Sequence, residues 1–109
     1  MNQVILCDEY LTGVEIHVRA YLKDEKLIIE GQDLGLKVTE TWGESEYEYF
    51  YSLSAVNTKK LYQSLRKQSE SVADLLMLVK EYFSGVNGCQ RFRDFCDVHK
   101  IDYEFNSFA

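Results

Sequence analysis

The residues best suited to metal binding or nucleophilic chemistry in this chain of 109 residues are two histidines and three cysteines. Cys96 and His99 stand one helical turn apart, so both could reach a single ligand, with Cys7 or His17 arriving from elsewhere. No Cys-x-x-Cys pair accompanies them, whereas zinc sites usually carry such tight pairs. Cys7 and Cys96 therefore read as small core residues, a common state of a free cysteine. On one helix Cys89 and Cys96 would be separated by about 10 Å of rise, beyond the ~7 Å that a disulfide spans. No metal, cofactor or disulfide framework is implied. No Gly-x-Ser-x-Gly elbow, His-Glu-x-x-His helix or phosphate-cradling glycine loop occurs either. Acid–base chemistry would fall to carboxylates alone, and the expectation is a non-enzymatic protein.

Carboxylates are abundant and unevenly placed. The chain has 18 Asp and Glu against 12 Lys and Arg, a net charge of −6. Residues 1–55 hold 11 of the acids and only four bases, so the excess negative charge belongs to that half. A phosphate backbone is repelled by such a domain, which argues against direct nucleic-acid binding. Lys59, Lys60, Arg66 and Lys67 have the spacing of an ordinary solvated helix face. The densest feature runs from Glu40 to Tyr51, where four glutamates and five aromatics fall in twelve residues. Glu44, Glu46 and Glu48 share one parity and, if extended, project from one side of a strand about 7 Å apart. Two readings follow. One is a solvated strand partly neutralised by Lys37 or Lys23. The other is an anionic, aromatic-rimmed patch that meets a cationic protein, with Glu40, Trp42, Glu44, Glu46, Tyr47, Glu48 and Tyr49 as its candidate residues. Alternation forbids all of those aromatics from facing outward, so the glutamates are the firmer part of the set.

These residues must be positioned by elements, and the hydropathy period names them. Val14, Ile16, Val18, Ala20 and Leu22 alternate with Glu15, His17, Arg19, Tyr21 and Lys23, the pattern of a half-buried strand. Asp24-Glu25 makes a tight turn into a second strand over 26–30. The glycines of 31–35 suggest a loop, followed by a strand over 36–42 and a turn at 43–45. Tyr47, Tyr49, Tyr51 and Leu53 then alternate with Glu46, Glu48, Phe50 and Ser52. Residues 4–7 add a short edge strand. After Ala55 the period becomes 3.6. Leu61, Tyr62 and Leu65 mark a helix with Asn57 or Thr58 as N-cap. Ser69 or Ser71 caps a second, with Val72, Leu75, Leu76, Val79 and Phe83 on its stripe. A third places Phe92, Phe95, Cys96 and His99 on one face. Residues 101–105 alternate again, as a last short strand would. The expectation is one α+β domain over 1–109: an antiparallel meander of four to five strands (4–55), then two to three helices (57–99) on one face.

No apolar run approaches a membrane span, and the first ten residues lack a basic start and a long apolar stretch, so no signal peptide is expected. The expected setting is cytoplasmic. Arg93 with His99 resembles the Arg-x-His signature of the HEPN ribonucleases, but that family is all-helical and the first half here reads as strands. At the hairpin, Gln32-Asp33-Leu34-Gly35 followed by Trp42-Gly43-Glu44-Ser45-Glu46-Tyr47-Glu48-Tyr49 resembles small acidic α+β proteins of bacteria, among them the immunity proteins of toxin systems. The resemblance covers under a fifth of the chain and assigns no individual residue. It implies an inhibitor that binds and occludes a basic, nuclease-type toxin domain. Two rival readings are a phage-type mimic of nucleic acid acting on a host or defence enzyme, and a small-ligand-binding or catalytic domain.

Overall fold

The computed structural model describes residues 2–35, 46–69 and 72–108. Five strands form one antiparallel sheet in the order of the chain: β1 (Gln3–Leu11), β2 (Val14–Lys23), β3 (Lys26–Leu34), β4 (Glu46–Ser52) and β5 (Glu104–Phe108). Between β4 and β5 lie three helices, α1 (Ala55–Gln68), α2 (Leu75–Phe83) and α3 (Gly88–His99). This is the expected α+β meander with its helices inserted before the last strand.

Period two decides which side chains meet the helices. Val4, Ala20, Ile29 and Tyr51 form one cross-strand row, and Leu27 and Leu53 lie nearby; all are buried. Against them pack Leu61 and Leu65 of α1, Leu76, Leu78, Val79 and Phe83 of α2, and Phe92 and Cys96 of α3. Phe92 lies edge-on to Tyr51 at 5.6 Å and to Phe83 at 5.5 Å, tying the third helix to both sheet and second helix.

The turn at Asp24-Glu25 is as expected: both residues take positive φ (52° and 66°) between the paired Lys23 and Lys26. Such a turn matches the twist of a two-residue hairpin. Several boundaries differ. β1 is a full strand rather than a short edge, with a bulge between Ile5 and Cys7 where Leu6 is the extra residue. The backbone N–H of Gly85 donates to the Leu6 carbonyl at 2.7 Å, which satisfies the acceptor the bulge exposes. β3 does not stop at Gly31 but runs on to Leu34, paired to β4 throughout from Ile28–Ser52 to Leu34–Glu46. The glycine that suggested a loop serves packing instead: a Cβ there would lie 2.0 Å from the Tyr49 ring, which covers the bare backbone. The strand expected over 36–42 and the turn at 43–45 lie outside the described residues.

The helix starts are also corrected. Ser54 caps α1, its Oγ accepting from the Asn57 N–H at 3.2 Å. Asp74 caps α2, accepting from the Met77 N–H at 2.9 Å. Asn57 and Thr58, read as caps, join elements: Thr58 Oγ1 accepts from Leu27 N–H at 3.0 Å, and Asn57 Oδ1 from Asp102 N–H at 3.1 Å. Ser69 ends α1 rather than starting α2. Val72 precedes α2 and is 89% exposed, so it is not on the buried stripe.

Candidate partner-binding face

With the helices on one side, the other side of the sheet is left uncovered by them. Strand parity places two rows across it. Ile5, Arg19, Glu30, Phe50 and Asn106 form one; Asp8, His17, Gln32, Glu48 and Phe108 form the next. Glu15, Leu34 and Glu46 follow toward one end. Between the rows lies a depression of about 310 Å³ bordered by Ile5, Asp8, Arg19, Glu30 and Glu48.

The bulge in β1 makes this arrangement. Without an extra residue, simple alternation from Ile5 would point Asp8 into the core. With Leu6 and Cys7 both turned inward, Asp8 emerges opposite His17 and hydrogen-bonds its Nδ1. Nε2 of the same ring faces Glu15 at 3.3 Å. Both ring nitrogens can donate only in the protonated form, and the hydrogen bonds to Glu15 and Asp8 raise the His17 pKa. Arg19 is likewise occupied: Nε donates to Glu30 at 2.5 Å, Nη1 to Gln3 at 2.8 Å, and the guanidinium sits 5.0 Å from the Tyr21 ring centre.

The β4 carboxylates are provided for differently. Gln32 donates its amide to Glu46. Glu48 has its pKa raised, first by hydrogen bonding with Glu46, then by desolvation and by the charges of Glu46 and Glu30. No cation among the described residues forms an ion pair with Glu46 or Glu48. Lys23, one expected neutraliser, stands at the hairpin end beside Lys26, and Lys37 is outside the described residues.

No family model matches the chain, and neither the curated proteins nor the solved structures yield a match to it.

Of the expected partner-binding residues, Glu46 and Glu48 are together on the open face. Tyr47 and Tyr49 are on the opposite, helix-side face, with their rings 5.6 Å apart. Tyr49 packs against the core and donates its hydroxyl to Asp33 at 3.2 Å. Glu40, Trp42 and Glu44 lie outside the described residues. The exposed apolar groups that do share the open face are Ile5, Tyr10 and Phe108, the last 61% exposed and edge-on to Phe50 at 6.0 Å. Parity within β4 separated Phe50 from the tyrosines, but the face taken by Asp8 and Tyr10 was hidden because a bulge leaves no mark in hydropathy alone.

The remaining chemical candidates resolve into structure. Burial pushes the thiols of Cys89 and Cys96 up to about 11 and about 12, so both stay protonated and poorly nucleophilic. Burial raises the Cys7 thiol as well. Among the described residues no three His, Cys, Asp or Glu side chains gather as metal ligands. Arg93 and His99 do not converge: Arg93 reaches Tyr51, whereas His99 stacks on Phe95 at 4.1 Å and approaches Gln68 at 3.4 Å. No helix among the described residues is long and apolar enough to cross a membrane.

Proposed function

We propose that the chain is a non-enzymatic inhibitor, a toxin immunity protein that occludes a basic, nuclease-type toxin domain with the open acidic face of its sheet. One observation carries the reading. On that face Arg19 and His17 are already engaged by carboxylates and Lys23 and Lys26 stand away at the hairpin end, while Glu46 and Glu48 lie side by side with no ion-pair partner among the described residues. A cationic partner would supply a counter-charge, relieve the repulsion and be steered toward the face over long range. Ile5, Tyr10, Phe50 and Phe108 offer the apolar contact area that hot spots need.

The test is retention of a basic protein from the native cell lysate by immobilised wild type and by the Glu46→Lys/Glu48→Lys variant, washed at low and then high salt. A stoichiometric partner held by wild type, released by salt and lost by the variant supports the acidic-face mechanism. Equal retention by both proteins overturns it. The retained partner is then assayed for its own activity with and without the chain. Undiminished activity at saturating chain overturns the inhibitor reading, and inhibition of a host nucleic-acid enzyme replaces it with the mimic.

A further inference from the structure

The helix side of β4 and β5 holds a second feature unrelated to the acidic face. Two adjoining hollows of about 310 and 350 Å³ share Tyr51, Arg93 and Phe105 as walls, and together they make one groove running past the Arg93 guanidinium. Tyr47 and Tyr49 border one end and Tyr103 the other. Arg93 is half-buried here. Its Nη1 donates to the Tyr51 hydroxyl at 2.5 Å, and its guanidinium carbon lies 5.9 Å from the Tyr51 ring centre.

Every other described lysine and arginine is exposed, whereas Arg93 is held half-buried in the groove. In a chain with six more acids than bases, Arg93 forms no ion pair among the described residues. Asp97, one turn along α3, and the adjacent Asp94 are exposed and do not reach it. The guanidinium has five N–H donors and no acceptor, and among the described residues only Nη1 has a hydrogen-bond partner. The Tyr51 hydroxyl accepts from Arg93 and donates to nothing among the described residues, so its own proton is left over. Donors therefore outnumber acceptors where they converge, and aromatic rings form the walls. An arginine fixed in place in this way binds a carboxylate or phosphate in a fork geometry without further ordering.

We infer that this groove is a binding site for a small organic oxyanion, a carboxylate or phosphate carried on an aromatic ring. Arg93 is its charge partner, the Tyr51 hydroxyl its second donor, and Phe105 and Tyr103 the stacking surface for the ring. Tyr51–Phe105 and Tyr51–Tyr103 centroid distances of 4.9 and 5.7 Å show that these rings already stand as one cluster. The site is on the opposite face of β4 from Glu46 and Glu48, so it stands or falls independently of the proposed inhibitor role.

The experiment is a titration of the 15N-labelled full chain, followed by amide chemical shifts, with phenyl phosphate, benzoate, inorganic phosphate and phenol as separate probes. Saturable shifts around Arg93, Tyr51 and Phe105 are expected with phenyl phosphate and benzoate, weaker ones with inorganic phosphate, and none that saturate with phenol. The tighter of the two aromatic anions identifies phosphate or carboxylate as the preferred head. Arg93→Gln should weaken binding about tenfold or more, the worth of a charge-assisted hydrogen bond, with Arg93→Lys intermediate. Should Arg93→Gln fail to fold, Tyr51→Phe provides the second reading through loss of one donor, with a severalfold weakening expected. The inference is overturned if neither aromatic anion gives saturable shifts, or if both bind a folded variant as tightly as wild type.

Discussion

Gly31, paired with Val18, and His17, paired with Gln32, stand one step apart on the β2–β3 ladder, and each controls one side of the sheet. A Cβ at Gly31 meets the Tyr49 ring at 2.0 Å, so Gly31→Ala must push the ring off β3 and strain the hydroxyl contact to Asp33. A cost of about 1–3 kcal/mol is expected from such overpacking, measured by urea unfolding; an unchanged midpoint would mean that the ring moves freely. Pairing Gly31→Ala with Tyr49→Ala should remove most of that penalty, because the clash then has no second partner. On the other side, Glu15 and Asp8 hold His17 above its ordinary value of 6.5. A raised histidine pKa contributes stability that is complete below 6.5 and is lost as pH rises through the folded-state value. Proton NMR titration should therefore place the His17 pKa above 6.5 and that of Asp8→Asn closer to it. No difference between the two proteins would show that the Asp8 contact does not persist in solution.

At the scale of elements, α3 ends on a residue whose backbone chemistry invites improvement. Lys100 adopts the left-handed conformation (φ 57°) while the next N–H, of Ile101, donates to the Cys96 carbonyl at 2.8 Å. Glycine takes that conformation without steric cost. Lys100→Gly should raise stability by about 0.5–1 kcal/mol, read as a higher thermal midpoint. Much of the element plan was legible in the chain. Alternation through Val14–Lys23 and Glu46–Leu53 gave the sheet faces, and the change to period 3.6 after Ala55 gave the helices. What escaped had physical reasons. Gly31 read as a loop because hydropathy does not reveal a ring lying on a glycine, whereas Gly35 does lie past the end of β3 with a positive φ of 120°. Ser54 and Asp74 were missed as caps because Asn57, Thr58 and Ser69 are equally good cap residues by type. The candidate site was half legible: Glu46 and Glu48 share a face as their parity requires, but Asp8 joins them only through the bulge at Leu6.

At the scale of the molecule, the uneven distribution of charge has its own consequence. With its pKa raised, Glu48 holds its proton more tightly in the folded chain than in the unfolded one, so stability falls as pH rises from 4.5 through the raised Glu48 value. Glu48→Gln should accordingly show a small gain in thermal midpoint at neutral pH that disappears in acid, and a weaker response to added salt, which screens the same repulsion. A midpoint lower than wild type at neutral pH would contradict this account. The insertion of three helices between β4 and β5 bears on how the chain is made. β1 to β3 join through tight hairpins and can zip locally, but Ser52 must wait for Glu104 before its ladder closes. Distant pairings of this kind form late, because the loop must close before the contact rewards it. During synthesis the β4 backbone is thus a bare edge until all of α1, α2 and α3 have emerged, and a ribosome stalled before residue 104 would leave that edge open as a template for aggregation.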